Sequence, residues 1–442
     1  MSTTSENARR RLGALLRSAD FARVYTLTVF ATIIGSPFIE AVAGYVPLVT
    51  AVVGLCGIGA GVLFSRRAEI SWLRLVPTTL LIFLVWALTS VAWSTDAGMS
   101  FWRWLSTLAI AFLAVTIGHI RDTLQTVRAL GDVARVLLVL SLALEVLAGI
   151  LFDTAFEFLA IQGNIAQLGP IQGIFGTRNM LGFVAVIAVI TFVIEWRTHS
   201  VRPEVSLASI LLGTAMALLS ASPTVFVVAA AVAVAAGALQ LVRTADPARR
   251  AALQWGLAAL VATGGIVLYA LRGRIVAALG AADDLSMRTT LWDLLQFYAR
   301  RRPVQGWGWF GAWAPDEQPF LTLNLLLGER HTTALNAYMD VLLQVGWAGF
   351  VILIAFGGIA LVRSWLDASQ RRSPVYGWTP LLLVALATVS LFESFALFGA
   401  GWLLLVLATV RAGQSRSWRR SIRVPEPDQD LPRSQETSGS AG

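Results

Sequence analysis

The chain has 442 residues, of which 56% are hydrophobic and 14% are charged, and its mean hydropathy is +0.70. A soluble protein normally carries about 25% charged residues, because charge covers the surface that faces water. The composition therefore excludes an ordinary soluble domain and indicates a protein that is covered mostly by lipid. Apolar runs such as Leu80–Trp93 and Val136–Phe152 must then be helical, because a bilayer core offers their backbone groups no water.

In chain order, the apolar runs predict an all-α transmembrane bundle of about twelve spanning helices. These predicted helices are 23–39, 44–64, 74–93, 101–119, 134–152, 179–196, 206–220, 224–242, 254–272, 335–362, 378–393 and 396–411. They divide the chain into an N-terminal segment (1–22), helices 1–9 (23–272), a long loop (273–334), helices 10–12 (335–411) and a tail (412–442). The tail is rich in Pro, Ser, Asp and Gly, which predicts disorder.

Arginine is distributed so as to predict the orientation of this bundle. It occurs before the first predicted helix, in every second loop and after the last predicted helix, and the chain contains no lysine. Because positively charged loops stay in the cytoplasm, both termini are expected there and the long loop 273–334 is expected outside. The net charge of +8 is thus a topology signal, and we expect membrane lipids but no nucleic acid as partners.

The long loop is expected to contain amphipathic helices. Met287, Leu291, Leu294 and Tyr298 recur at helical spacing, which predicts a helix lying along the membrane surface. The Gly- and Trp-rich segment Gln305–Trp313 predicts a turn with interfacial aromatic side chains.

Polar residues in the external loops are the first candidates for a functional site. Before predicted helix 6, Gly173 and Gly176 permit a tight turn beside Arg178 and Asn179. An ordinary helix entry with an arginine reaching the membrane surface explains this pattern equally well. Between predicted helices 7 and 8, Ser222 is explained more simply as the N-cap of a helix that begins at Pro223 than as a ligand.

The long loop supplies the charged candidates, which are Arg288, Arg300, Arg301 and Arg302, and it ends with His331 before Asn336. Arginine binds phosphate oxygens in a bidentate manner and stays charged. Histidine can take a proton from an attacking hydroxyl at neutral pH. Together they fit transfer from a diphosphate-activated donor, with arginine stabilising the departing diphosphate.

Other chemistries lack a pattern in this sequence. There is no P-loop, no HExxH and no GxSxG motif. Asp153 and Glu157 are too isolated to argue for a glycosidase pair. The sole cysteine, Cys56, lies in an apolar run. We therefore expect no metal and no cofactor.

Three segments together resemble the O-antigen ligase family, which includes polysaccharide polymerases. They read GIFGTRNMLGF, SMRTTLW followed by RRPVQGWGWF, and HTTALNAYMDVLLQVGWAG, and they cover about residues 170–350. The resemblance implies a bacterial plasma-membrane enzyme with its active site facing outside. In that family a glycan is transferred from an undecaprenyl-diphosphate-linked donor to an acceptor hydroxyl, with inversion and without a metal.

The resemblance also implies roles for individual residues. Arg288 matches the arginine of an Arg-x-x-x-Trp pattern that would bind the diphosphate, and His331 matches the loop-end histidine that would act as the base. Asn336 matches the asparagine that opens the next helix, and Arg178 stands beside the family's asparagine, here Asn179.

Two positions depart from the family pattern. Pro223 stands where an arginine is expected, so Arg178 or one of Arg300, Arg301 and Arg302 would have to replace it. Leu335 stands where the family commonly has a histidine directly before the asparagine.

Two hypotheses from other classes stay open at this point. A secondary transporter with about a dozen helices would show internal repeats, interrupted helices and ionisable residues at mid-membrane. No repeat is evident, and Glu145 and Glu393 are the chief intramembrane ionisable residues, each without an obvious partner in the sequence. Glu393 lies near the external end of its predicted helix, where it could instead face the donor of a transferase. A scaffold in an envelope-assembly complex is the other hypothesis. Between ligase and polymerase the sequence does not decide.

Overall fold

The computed structural model describes residues 13–68, 75–270 and 282–415. In this part of the chain there are fifteen α-helices and no β-strand. The helices are α1 (Ala19–Ile34), α2 (Ser36–Ala43), α3 (Tyr45–Ser65), α4 (Thr78–Thr89), α5 (Ala97–Ile120), α6 (Thr123–Val146), α7 (Arg178–Arg197), α8 (Pro203–Leu219), α9 (Pro223–Thr244), α10 (Pro247–Ala270), α11 (Ala282–Arg301), α12 (Phe320–Leu327), α13 (Ala337–Gln370), α14 (Trp378–Val389) and α15 (Gly399–Ser415).

The helices have the length and composition of a membrane protein. By these two criteria, six of the described helices (α3, α5, α6, α7, α9 and α13) could cross a bilayer, and a seventh span results if α1 and α2, which meet at a 70° bend, count as one. Large apolar side chains on helix surfaces are exposed, among them Val46, Val234 and Trp255, and lipid would cover them. The all-helical membrane fold is confirmed to this extent, while the number of about twelve spans stays a prediction.

Several helices begin earlier or end later than the apolar runs predict, because caps and polar turns decide their ends. α6 starts at Thr123 and not at 134, because Asp122 and Gln125 form a capping box. In it the backbone N–H of Gln125 donates to the Asp122 carboxylate at 2.7 Å. Arg128 therefore lies on a helix and not in a loop. α10 likewise begins at Pro247 and α13 continues to Gln370.

At the C-terminal end, the division between the last helices differs from the prediction. Helix α14 stops at Val389 and α15 starts at Gly399, so residues 390–398 form an irregular connection with one 3-10 turn at Phe395–Leu397. α15 extends to Ser415, and Ala412 is buried, so residues 412–415 do not belong to a disordered tail. The predicted N-terminal residues 1–12, the loop start 271–281 and the tail from 416 lie outside the described residues.

One face of the molecule gathers the irregular segments 93–96, 152–178, 220–223, 302–336 and 390–398, and we call it the loop face. Hydrogen bonds join these segments, for example Trp93 Nε1 to the Gln305 carbonyl at 3.2 Å and the Ile171 N–H to the Leu219 carbonyl at 3.0 Å. The predicted amphipathic helix is confirmed as α11, whose Leu291 and Leu295 are buried with Trp313 in an apolar cluster of this face.

Helix α13 is interrupted at Gly346, where the backbone has φ +66° and ψ −170°. The opened turn receives the Gly- and Trp-rich segment of the long loop. The Trp347 N–H donates to the Pro303 carbonyl at 2.8 Å, and the Gly308 N–H donates to the Gln344 carbonyl at 2.8 Å. A Cβ at Gly346 would lie 2.2 Å from the Val304 carbonyl oxygen, so only glycine fits this junction.

Replacing Gly346 by Ala should therefore destabilise the protein. We expect the free energy of unfolding to fall by about 1–3 kcal/mol, because an alanine is strained at this φ and meets the loop backbone. The measurement is thermal unfolding of the purified protein in detergent. Gly357→Ala is the matched control on the same helix, since a Cβ there meets nothing within 4 Å. Equal unfolding temperatures for both variants would contradict the prediction.

Candidate functional site

Arg288 lies on the first half of α11 and points inward, toward the connection between α14 and α15. Its side chain is only 13% exposed. The guanidinium donates to the Phe392 carbonyl at 2.6 Å and lies 3.5 Å from the Glu393 carboxylate. The second distance is long for a hydrogen bond, so the attraction to Glu393 is mainly between charges. An anion arriving at Arg288 would compete with this carboxylate.

Asn179, on α7, and Ser222, at the start of α9, extend the hydrogen bonds of Glu393 to two other helices. The Asn179 side-chain amide donates to Glu393 at 2.6 Å, and its carbonyl oxygen accepts from the Ser222 hydroxyl at 2.7 Å. Ser222 also caps α9 as predicted, since its hydroxyl accepts from the Val225 N–H at 3.4 Å. The structure thus adds a second contact to a residue that capping alone had explained.

Glu393 was not among the predicted site residues, although its position near the external end of a predicted helix allowed it to face the donor. In the structure it contacts both Arg288 and Asn179, and its side chain is 6% exposed. A buried carboxylate is costly unless a cation and hydrogen-bond donors compensate its charge. Its place near the predicted external end of a helix was the only sequence signal.

Asp340, on the first turn of α13, joins the segments that carry these residues. Its carboxylate accepts from Trp313 Nε1 at 2.5 Å, the Ala334 N–H at 3.0 Å and the Ser394 hydroxyl. Asp340 is fully buried. The long loop, the start of α13 and the irregular connection 390–398 are therefore tied to one side chain.

His331 lies in a different part of the loop face. Its backbone pairs with the side chain of Asn324 on α12, at 3.0 Å and 3.1 Å. The ring atom Nε2 is 3.5 Å from a Glu329 carboxylate oxygen, and this ring nitrogen is buried without a hydrogen-bond partner among the described residues. His331 is linked to Arg288 through the backbone, because the segment that it opens ends at Leu335, whose carbonyl accepts from Arg288 at 3.4 Å.

Asn336 acts first as a helix cap. Its side-chain oxygen accepts from the N–H groups of Tyr338 and Met339, at 3.0 Å and 3.1 Å, and its amide nitrogen donates to the Leu391 carbonyl at 3.0 Å. These contacts fix the start of α13 against the connection that carries Glu393. Asn336 therefore positions the site, and its own polar atoms are engaged in the protein.

The remaining predicted residues are not brought into the Arg288 cluster by the contacts described. Arg178 is exposed on the first turn of α7, one residue before Asn179. Arg300 and Arg301 are exposed at the end of α11, and Arg301 lies over the ring of Phe297 at 4.6 Å. Arg302 donates to the Trp93 carbonyl at 3.0 Å and lies 4.4 Å from the Trp307 ring centroid.

Glu145 also has partners that the sequence did not reveal. It lies on the last turn of α6, and its carboxylate accepts from the N–H groups of Gln172 and Gly173 at 3.0 Å and 2.8 Å. Gly173 has φ +54°, and a Cβ there would lie 2.5 Å from the side chain of Ser141. The carboxylate thereby holds the glycine-rich turn that leads to Asn179.

The cluster of Arg288, Glu393, Asn179 and Ser222, which we call the Arg288 cluster, combines one cation, one carboxylate and two neutral hydrogen-bonding groups. Such a set can bind an anion at the guanidinium and a hydroxyl at the carboxylate. Within the described ranges, no group of three or more His, Cys, Asp or Glu side chains is placed to hold a metal ion.

Neither a scan against protein-family models nor a search of curated proteins finds a match for this chain. The likeness to the O-antigen ligase family consequently depends on the three motif segments of the sequence alone.

Replacing Asp340 by Asn should loosen the loop face. Asparagine has one carbonyl oxygen where aspartate has two. Its N–H₂ group therefore faces either Trp313 Nε1, which donates to one carboxylate oxygen, or the Ala334 N–H, which donates to the other. Each buried donor left without an acceptor costs about 1–3 kcal/mol. We expect faster proteolysis within 303–335 and a lower unfolding temperature. Asp293→Asn, at an exposed position of α11, is the control and should match the wild type. Unchanged proteolysis in Asp340→Asn would show that Asp340 does not hold the loop.

Proposed function

We propose that the chain is a membrane glycosyltransferase of the O-antigen ligase type. It transfers or polymerises a glycan from an undecaprenyl-diphosphate-linked donor onto an acceptor hydroxyl, at the outer face of a bacterial cytoplasmic membrane. The observation that carries the proposal is the Arg288 cluster. Four segments far apart in sequence meet there, and the motif residues Asn179 and Arg288 share one carboxylate, Glu393.

In this proposal Arg288 binds the diphosphate of the donor. Its contact with Glu393 is long, and the guanidinium has further N–H groups beyond the one that bonds the Phe392 carbonyl. As the bond between the anomeric carbon and the diphosphate oxygen breaks, its electron pair leaves with the diphosphate. A fixed guanidinium stabilises this growing negative charge more than it stabilises the bound donor, which lowers the barrier.

The acceptor hydroxyl attacks the anomeric carbon and must lose its proton. His331 is the base that the family resemblance implies, and its buried ring atom Nε2 has no hydrogen-bond partner among the described residues. Glu393 is a second candidate, since its carboxylate lies beside Arg288 itself. The proton goes to one of these groups as the new glycosidic bond forms.

The proposal also includes the orientation. About twelve crossings, with arginine-rich ends and loops in the cytoplasm, would put the loop face outside. The donor's lipid chain would then lie in the outer leaflet with its diphosphate at the level of Arg288.

A secondary transporter is the second candidate, and one observation favours it. Two described helices are interrupted, at the 70° bend between α1 and α2 and at Gly346 of α13. Interrupted helices are common in transporters, where the free helix ends bind substrate. At Gly346, however, the opened turn is occupied by the backbone of the chain's own residues 303–308, which favours a structural role there.

Loss of Arg288 or His331 should abolish glycan transfer. We expect Arg288→Ala and His331→Ala to reduce turnover at least about 100-fold, the effect of removing a charge-stabilising group or a general base. The measurement is complementation of a deletion strain, with lipid-linked intermediates and envelope glycans analysed by mass. Accumulated long chains in the deletion strain would identify a ligase, and accumulated single repeats would identify a polymerase.

Arg330→Ala is the matched control for this experiment, because Arg330 is exposed in the same loop and its ion-pair partner among the described residues is the exposed Asp316. All variants are checked for equal amounts in the membrane. Glu393→Gln tests the second base: loss of activity there with activity retained in His331→Ala would assign the proton to Glu393. Full activity in Arg288→Ala, or substrate movement in reconstituted vesicles without a covalent product, would end the proposal.

The orientation has its own test, which uses the sole cysteine of the chain. In a Cys56→Ala background we expect Asp316→Cys to react with a membrane-impermeant maleimide in intact cells. Glu204→Cys, at the opposite end of the bundle, should react only after permeabilisation. Both positions are exposed. The reverse pattern would place the Arg288 cluster on the cytoplasmic side and contradict a donor at the outer leaflet.

A further inference from the structure

An apolar groove runs between α4 and the part of α13 that follows the break at Gly346, away from the Arg288 cluster. Its volume is about 690 Å³ and it is open on its outer side. It is lined by Thr78, Leu81, Ile82, Val85, Trp86, Thr89, Trp93, Gln305 and Ile352. Almost all of this lining is carbon, so the groove favours a hydrocarbon occupant over water.

The groove ends at the loop face in a polar junction. Trp93 Nε1 donates to the Gln305 carbonyl at 3.2 Å, and the Trp93 carbonyl accepts from Arg302 at 3.0 Å. Arg302 also lies 4.4 Å from the centroid of the Trp307 ring. These contacts are to a backbone oxygen and an aromatic face, and among the described residues no carboxylate forms an ion pair with Arg302. Arg300, two residues before it, is exposed.

A groove of this kind on a membrane protein meets lipid chains first. Its apolar length follows α4, one of the shorter apolar helices, which lies within the predicted span 74–93. In the proposed orientation a chain lying in the groove would be roughly parallel to the chains of the bilayer. The cationic end then selects the head group. Arginine binds phosphate oxygens through several N–H groups at once, and a negative net charge on the head group favours this binding further.

The lipid in this groove is distinct from the proposed glycan donor. Arg288 lies in the first half of α11, and Arg302 directly follows its last residue. The 13 residues of helix from Arg288 to Arg301 already span roughly 20 Å. A diphosphate is far shorter than this, so one lipid cannot reach both arginines with its phosphates. The groove and the Arg288 cluster have no lining residue in common.

We propose that the groove is a binding site for an anionic phospholipid of the leaflet that holds the proposed glycan donor. One acyl chain lies between α4 and α13, and the phosphate lies at Arg302 and Arg300. The bound lipid stabilises the junction of Trp93, Gln305 and Arg302, which fastens the segment 303–313 to α4. The long loop therefore depends on the composition of the membrane around it.

The test uses the full chain in nanodiscs of phosphatidylethanolamine with a small fraction of phosphatidylglycerol that carries bromine on its acyl chains. Bromine quenches tryptophan fluorescence only at contact distance. We expect quenching in the wild-type chain that falls when Trp93 is replaced by Phe and is unchanged in Trp196→Phe, a control at an exposed tryptophan of α7. Brominated phosphatidylethanolamine at the same fraction should quench Trp93 less.

Variants separate the two parts of the site. Val85→Trp fills the groove and should abolish retention of phosphatidylglycerol in native mass spectra, whereas Val234→Trp, on the lipid-exposed surface of α9, should not. Arg300→Gln with Arg302→Gln should weaken phosphatidylglycerol binding about tenfold and leave phosphatidylethanolamine unchanged, the effect of losing one charge-assisted contact. Arg249→Gln, at an exposed residue of α10, is the charge control.

Three results would overturn the proposal. These are equal quenching of Trp93 by both lipids, unchanged retention in Val85→Trp, and displacement of phosphatidylglycerol by an equal amount of undecaprenyl phosphate. The last result would assign the groove to a polyisoprenyl lipid. Because every measurement is of lipid binding, loss of glycan transfer in an Arg288 variant has no bearing on it, and the two proposals can fail separately.

Discussion

The carboxylate of Asp340 is the interaction on which the loop face depends. It is fully buried and accepts hydrogen bonds from Trp313 in the long loop, from the Ala334 N–H before α13 and from Ser394 in the irregular connection. A buried carboxylate without donors would be strongly unfavourable, whereas one with several donors stabilises a single arrangement of the segments that supply them. Gln344, one turn later, donates to the same carboxylate at 3.2 Å and accepts from the Phe310 and Gly311 N–H groups. The long loop is therefore fixed on the start of α13, and the break at Gly346 lets it approach that closely.

The Arg288 cluster is built on this framework. Glu393 stands one residue before Ser394, so the bond from Ser394 to Asp340 places the carboxylate that Arg288 and Asn179 then contact. The negative charge of Glu393 balances the positive charge of Arg288. This balance matters because the guanidinium is only 13% exposed, and burying it as a lone cation would be unfavourable. A phosphate that displaced Glu393 from this contact would remove the cation that balances its charge, which favours protonation of the carboxylate. Donor binding and proton acceptance would then be coupled at one pair of side chains, a coupling that the motif pattern alone did not predict.

The sequence predicted those features that depend on local pattern. Apolar runs placed eleven of the twelve predicted helices each on one observed helix, the spacing of Leu291 with its neighbours gave α11, and Ser222 before Pro223 gave the N-cap of α9. The sequence did not show that the predicted helix 23–39 is divided by the 70° bend between α1 and α2. It was wrong where polar contacts set a boundary, as at Thr123, where the capping box starts α6 among residues too polar to belong to an apolar run. The contacts of Glu393 with Arg288 and Asn179 join positions separated by 105 and 214 residues, and no periodicity encodes such a pairing. The break at Gly346 was missed for the same reason, since glycine is ordinary in membrane helices and only the arriving loop requires it there.

Helix α11 connects the part of the loop face that contains the Arg288 cluster to the part that contains the end of the apolar groove. Its first half carries Arg288 to the connection between α14 and α15, and its end delivers Arg302 to α4, so the helix spans from the proposed donor site to the apolar groove. Leu291 and Leu295 hold it on the apolar cluster between these ends, which makes it a rigid connection more than a flexible loop. A change in the contacts of Arg302 would then be transmitted to Arg288 as a displacement of one helix. Suppose that α11 has two positions, one of which binds the donor better. The free energy by which lipid binding at Arg302 changes donor binding at Arg288 cannot exceed the difference in lipid affinity between these two positions. It follows that a lipid at the groove strengthens donor binding if it binds more tightly to the donor-binding position of α11, weakens it if it prefers the other position, and has no effect if its affinity for both is equal.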